Sequence, residues 1–230
     1  MKQLLLAAAV VLSVAAHAQS DKYTDAMSKT LSMFDSAKTP ADFENIAAAF
    51  QRIGDAEKTQ WLPYYWEGLA LARIGWMYFP DEKGVTAIKA DNLSQTVDDL
   101  TARINATADK ADAAATDDIA KSEILTIRNM SATQQMVVDP QSRYMTYGMQ
   151  ATDDLKKAIE LNPNNPRAYY LQAMGIYGTP EQFGGGKANA KPLFQKAVDA
   201  GKTEQAQKDA QPMYPHWALD QSEQMLALCQ

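Results

Sequence analysis

The chain has 230 residues, with 22 Lys or Arg against 28 Asp or Glu, and its formal net charge is −6 at pH 7. No basic patch interrupts this acidic balance, which excludes the usual electrostatics of a nucleic-acid-binding protein. Cys229 is the only cysteine. No internal disulfide can form, so stability has to come from packing.

The first twenty residues have the three parts of a secretory signal peptide. Lys2 precedes an apolar run from Leu4 to Leu12, and Ala16-His17-Ala18 is an A-x-A cleavage site. The run is too short to span a membrane, and nothing downstream reaches the roughly 18 apolar residues that a transmembrane helix needs. We therefore predict a signal peptide over residues 1–18, a mature domain over 19–230 without a transmembrane segment, and a periplasmic or secreted location.

Helical patterns dominate the first half of the mature chain. Thr39-Pro40-Ala41-Asp42 supplies a capping hydroxyl, a proline at the first helical position and an acid in the first turn of a helix that ends near Ile53. Apolar residues at spacings of three and four predict further helices over about 58–77, 91–110 and 117–138. Pro80 and Pro140 mark helix ends.

The second half contains a spacing that occurs twice. Ala151, Leu155 and Ala158 are followed by Pro163, and Ala190, Phe194 and Ala197 repeat the first three of these positions. This is the spacing of the second helix of a tetratricopeptide repeat. The two copies are 190 − 151 = 39 residues apart, against a period of about 34. An insertion of roughly five residues is therefore predicted between Gly178 and Lys187.

The segment Leu161–Val198 resembles the tetratricopeptide repeat, and with its signal peptide the chain resembles exported tetratricopeptide-like proteins of Bacteroidetes that have no assigned activity. The resemblance implies an all-α fold, a right-handed array of antiparallel helix pairs forming an α-solenoid. The clearest repeats fall over 140–200. Trp61–Gly68 resembles Pro166–Ala173, which predicts degenerate repeats over 40–110, and a C-terminal helix is predicted over 214–228.

The stretch Phe183–Lys187, FGGGK, has the composition of a phosphate-binding loop. Such a loop needs G-x-x-x-x-G-K-[ST], but Glu181 takes the place of the first glycine and Ala188 that of the hydroxyl. We therefore predict an enlarged turn between two helices and no nucleotide site. Phe183 is expected to plug the end of the adjacent helix pair in preference to contacting a partner.

The sequence marks no catalytic, metal-binding or cofactor-binding residue. His216 is the only histidine after residue 18 and is expected to be a packed or surface residue, while Cys229, which has no obvious histidine partner, is expected to be inert. Paired acids such as Asp98-Asp99 suit helix starts and solvated faces. No cofactor is predicted.

The resemblance implies a concave groove that binds peptides or partner proteins. Arg167, Tyr170, Met174 and Tyr177 follow one another at i, i+3, i+7 and i+10, so we predict that they form a peptide-binding stripe on one helix face. The function predicted is that of an exported, non-enzymatic adaptor or scaffold in the cell envelope. The alternatives are a carboxylate-dependent cell-envelope hydrolase and a self-associating structural subunit.

Overall fold

The structure is a computed structural model that describes residues 21–80 and 87–230. Over these ranges the chain is helical and contains no strand, which confirms the predicted all-α class. None of the helices in the described ranges is long and apolar enough to cross a membrane. The predicted signal peptide lies outside the described residues.

Nine helices follow one another in the described part of the chain. The sixth is continuous but contains a π-helical turn, Tyr144–Gly148, between Pro140–Arg143 and Met149–Leu161. The helices are α1 (residues 21–31), α2 (Pro40–Ala56), α3 (Trp61–Trp76), α4 (Leu93–Ala114), α5 (Asp118–Val138), α6 (residues 140–161), α7 (Pro166–Gly178), α8 (Lys187–Gln205) and α9 (Leu219–Leu228).

Local sequence signals fix most of the helix ends. The Thr39 hydroxyl accepts from the Asp42 amide at 3.2 Å while the Asp42 carboxylate accepts from the Thr39 amide at 2.9 Å, a capping box. Helix α4 continues past the predicted end to Ala114, because Ala111 is buried and alanine favours a helix. The last helix begins at Leu219, so the start predicted at residue 214 is wrong.

Consecutive helices from α2 to α9 pack against each other, and α3 with α5 and α5 with α7 also make contact. Gly68 lies against Ile127 and Gly75 against Gln134, so residue numbers rise together along α3 and α5 and these helices are parallel. Contact between alternate helices is expected when antiparallel helix pairs stack on one another. The architecture is thus compatible with the predicted array; its right-handed sense and its division into repeats remain predictions.

The positions of the repeated spacing are where helices approach each other. All six are fully or nearly buried: Ala151, Leu155, Ala158, Ala190, Phe194 and Ala197. Ala173, the small residue of α7 at a helix contact, is also buried. The largest apolar core lies among α2, α3, α4 and α5 and includes aromatic residues such as Phe50 and Tyr65. A second cluster joins α7, α8 and α9 around Phe194.

The connection between α8 and α9 returns to α3, far back in the chain. The Trp66 Nε1–H donates to the Met213 carbonyl at 2.9 Å, and the Trp217 Nε1–H donates to the Tyr65 hydroxyl at 2.8 Å. The rings of Trp61 and Tyr214 meet edge to face at 5.5 Å. These contacts hold residues 211–217 against α3, and that is why the predicted helix cannot begin at residue 214.

The FGGGK segment is the turn between α7 and α8, and Lys187 begins the next helix, both as predicted. Gly184 and Gly186 have φ values of 84° and 90°, which glycine adopts most readily. The Gly186 amide donates to the Ile176 carbonyl at 2.9 Å. Phe183, however, is 73% exposed, so the expectation that it plugs the helix pair is wrong.

Candidate functional surface

Arg167, the first residue of the predicted stripe, lies inside the protein. Its side chain is 2% exposed and its guanidinium donates to both carboxylate oxygens of Glu123, at 2.7 and 2.8 Å. It also donates to Glu204 at 2.7 Å. Arg167 therefore joins α5, α7 and α8, and its charge is already neutralised by two carboxylates.

Burial and ion pairing together determine the pKa values of Arg167 and Glu123. Burial raises the pKa of Glu123, and Arg167 opposes that increase. Burial lowers the pKa of Arg167, but Glu123 and Glu204 raise it by more, so the guanidinium stays charged. His216 Nδ1 lies 3.8 Å from Glu204, and its Nε2 is 2.8 Å from the Gln211 carbonyl oxygen. The histidine is 9% exposed and is a packed residue.

The other three residues of the stripe are half-buried. Tyr170 and Tyr177 place their ring centroids 6.2 and 6.3 Å from that of Phe194, and Tyr170 also meets Trp217 edge to face at 6.2 Å. Met174 packs against the same cluster. One edge of each side chain therefore belongs to the α7–α8 packing and the other faces solvent. Peptide binding by these residues remains a prediction.

A different set of large apolar side chains is exposed. Seven large apolar residues of the described chain are exposed, and the helix order and directions place six of them at one end of the array. This apolar end consists of Ile88, Tyr144, Met145, Met149, Phe183 and Leu228. Only Ile119, in the first turn of α5, lies at the opposite end.

The helix directions place these residues at the same end of the array. Ile88 follows α3 and donates its amide to the Met77 carbonyl at 2.9 Å. Tyr144, Met145 and Met149 lie in the first turns of α6, directly after α5 ends. Phe183 follows α7, which is parallel to α5.

Two contacts support these helix directions. The Asn165 amide at the start of α7 donates to Ser122 at the start of α5, at 2.9 Å. Leu228 ends α9. Gly201, near the end of α8, lies against Leu219 at the start of α9, while Phe194, earlier in α8, shares a buried cluster with Met225, later in α9, so the two helices are antiparallel. The end of α9 therefore lies beside the start of α8.

The π-helical turn shapes the middle of the apolar end. A side chain at Gly148 would place its Cβ 2.7 Å from the Tyr144 ring and 3.0 Å from the Met136 sulfur. Glycine at this position lets the ring lie across the helix. Arg143 secures the turn by donating to Asp98 at 2.6 and 2.9 Å and to Ser94 at 3.0 Å. Single π-helical turns are frequent at functional sites.

The chemistry of the apolar end combines apolar area with soft donors. Tyr144 is 57% exposed, Met145 72% and Met149 51%, and no other tyrosine or methionine in the described ranges is as open. Lys89 and Lys187, neighbours in sequence of Ile88 and of the glycine turn, are exposed cations. Within the described ranges no three His, Cys, Asp or Glu side chains are grouped to hold a bare metal ion. The apolar end thus presents apolar area together with one phenol and two thioether groups.

Sequence reasoning missed this surface. Its residues come from four separate connections or helix ends, so no single stretch of sequence contains the pattern. The nearest local signal is YMTYGM, residues 144–149, in which exposed apolar residues surround a glycine inside a helix. A glycine there costs helix stability and is the local signal that could have pointed to this surface.

Comparison with known proteins gives one informative match. No protein-family model matches the sequence and no curated protein is similar to it, so the tetratricopeptide resemblance has no support from a family model. Among solved structures, the HusA haemophore from Porphyromonas gingivalis is 31% identical in sequence with a TM-score of 0.74. The match covers 90% of this chain and 92% of that one.

Proposed function

Because the chain belongs to the family of the HusA haemophore, we propose that it is a non-enzymatic binding protein whose ligand is haem or a related porphyrin, held at the apolar end. The family likeness supports the class of ligand. The observation that carries the site is the gathering of six of seven exposed large apolar residues at one end of the array. Contiguous exposed apolar surface is typical of binding sites.

The donors at the apolar end match the chemistry of haem. Protein ligands to haem iron are His, Cys, Met and Tyr. His216 and Cys229 are 9% and 8% exposed and cannot reach a ligand at the surface. Tyr144, Met145 and Met149 therefore supply the accessible phenol and thioether groups of the described chain. Lys89 and Lys187 would receive the carboxylates of the porphyrin.

The predicted adaptor role is a second candidate, and it too uses this end of the array. Met174 and Tyr177 lie in the last turns of α7, just before the turn that carries Phe183. A peptide on the stripe would contact Tyr170, Met174 and Tyr177, with Arg167 acting from inside to fix the helix. The predicted signal peptide supports export to the periplasm or beyond for either role.

A titration with haem tests the proposal directly. We expect the purified mature chain to bind haem with saturable, one-to-one changes in the Soret band. The triple variant Tyr144→Phe, Met145→Ala, Met149→Ala should bind at least tenfold more weakly, because it loses the donors and part of the apolar surface. Ile119→Ala, which removes an exposed apolar side chain at the opposite end, should bind like the unsubstituted chain.

Titration with iron-free protoporphyrin separates the two contributions. If contacts with the porphyrin ring dominate, the triple variant should lose affinity for both ligands equally. If iron ligation dominates, only the affinity for haem should fall. An unsubstituted chain that shows no saturable binding of either ligand would refute the function. A triple variant that binds like the unsubstituted chain would refute the site.

A further inference from the structure

Met145 and Met149 are the most exposed sulfur-containing residues in the described part of the chain. They are 72% and 51% exposed, whereas the other methionines of residues 21–80 and 87–230 are buried or half-buried. Cys229, the only cysteine, is 8% exposed. Because oxidation of sulfur depends on access, a reagent in solution reaches these two thioethers before the rest.

The geometry of the π-helical turn explains why these two side chains point outward. A Cβ at Gly148 would meet the Tyr144 ring and the Met136 sulfur, so the Gly148 side of the helix faces α5. Met145 follows Tyr144 and Met149 follows Gly148, each about a quarter of a turn further around the helix. The two methionines are four residues apart and therefore neighbours on one exposed face. The Met136 sulfur, by contrast, packs against the backbone of α6.

Hydrogen peroxide is an oxidant that acts on exposed thioethers of this kind. A lone pair of the thioether sulfur attacks one oxygen of the peroxide, the O–O bond breaks, and the other oxygen leaves with both hydrogens as water. The sulfur is oxidised to a sulfoxide, the peroxide is reduced, and no further reactant is consumed. The product is a polar, chiral side chain in place of a flexible apolar one.

We propose that Met145 and Met149 are sites of reversible oxidation by hydrogen peroxide, and that their sulfoxides release the ligand of the apolar end. The second part rests on the proposed function, and the first does not. Oxidation makes two of the six side chains of the apolar end polar and replaces two soft thioether donors with harder sulfoxide oxygens. Reduction by methionine sulfoxide reductases restores the original side chains. The affinity of the apolar end therefore depends on the oxidants around the protein.

Peptide mapping after brief peroxide treatment tests the modification on the full mature chain. Trypsin, which cuts after arginine and lysine, releases residues 144–156 as a peptide whose only methionines are the two exposed ones. The preceding peptide, residues 129–143, contains Met130 and Met136 and is the internal control. We expect the first peptide to gain oxygen well before the second in the native chain, and both to react alike in urea. Equal rates in the native chain would overturn the proposal.

Ligand titrations of the oxidised chain test the consequence. The chain is treated without haem, freed of peroxide and then titrated, and we expect its affinity for haem to fall by about tenfold or more because apolar area and soft donors are lost. Methionine sulfoxide reductases should restore the affinity. The double variant Met145→Leu, Met149→Leu has no thioether at these positions, so peroxide should not change its own starting affinity. A fall of equal size in the double variant would overturn the regulation.

A dye that reports exposed apolar surface separates this proposal from the proposed function. The fluorescence of bound anilinonaphthalene sulfonate should fall when the unsubstituted chain is oxidised and stay constant in the double variant. An untreated chain that binds no haem would refute the proposed function, while the peptide map and the dye would still test the oxidation of the apolar end. Selective oxidation that leaves both haem and dye binding unchanged would overturn the regulation.

Discussion

Arg167 lies in the helix that the sequence predicted, but its side chain is buried where an exposed one was expected. Its place in the first turn of α7 follows from Asn165 and Pro166, which start the helix. Its partners are Glu123, 44 residues earlier, and Glu204, 37 residues later. Because no local pattern links these three positions, the sequence predicted an exposed cation where the protein has a buried ion pair.

Replacement of Arg167 by Met tests the role of that pair in stability. Glu123 is 1% exposed, and without the guanidinium its charge would be buried and uncompensated. We expect Arg167→Met to lower the free energy of unfolding by about 3–5 kcal/mol, as measured by urea denaturation. Adding Glu123→Gln should recover part of the loss, because the unpaired charge is then absent. A single variant within about 1 kcal/mol of the unsubstituted chain would contradict this role.

At the scale of elements, the sequence predicted what depends on neighbours along the chain. Apolar spacing and caps located α2 to α5 to within a few residues, and the repeat spacing located the turn at FGGGK. The π-helical turn and the non-helical segment 211–217 were missed. The first depends on the fit of Tyr144 over Gly148 and the second on contacts with α3, neither of which periodicity reports.

Two glycines near the FGGGK turn should respond oppositely to the same substitution. Gly175 lies inside α7, and a Cβ there would meet nothing within 4 Å. Gly175→Ala should therefore stabilise the protein by about 0.5–1 kcal/mol through helix propensity. At Gly185 a Cβ would lie 2.0 Å from the Thr179 carbonyl oxygen, so Gly185→Ala should destabilise it by about 2 kcal/mol or more. Thermal unfolding of both variants provides the measurement, and equal midpoints would show that the turn tolerates a side chain.

At the scale of the molecule, function depends on which residues the array gathers at each end. The residues of the apolar end are spread between Ile88 and Leu228, and only the alternation of helix direction brings them together. Each is unremarkable in sequence, since single exposed apolar residues are normal. The fold class could be predicted because helices form locally. The candidate surface could not, because it is a property of helix order and direction.

The return of residues 211–217 to α3 joins the two halves of the array, and Trp217 is its central contact. Its indole donates to Tyr65 and packs against Tyr170, so one side chain connects α3 with α7. We expect Trp217→Ala to lower the free energy of unfolding by about 3 kcal/mol, since it removes a large, half-buried aromatic residue and a hydrogen bond.

Trp217→Phe, which retains most of the ring area, should cost about 1 kcal/mol. Phe183→Ala is the matched control, because that aromatic residue is 73% exposed and its loss should change stability little. Urea unfolding followed by circular dichroism gives the three values, and hydrogen exchange should show weaker protection of α3 in Trp217→Ala. If protection of α3 is unchanged, the connection does not hold the halves together, and α3 is stabilised by α2, α4 and α5 alone.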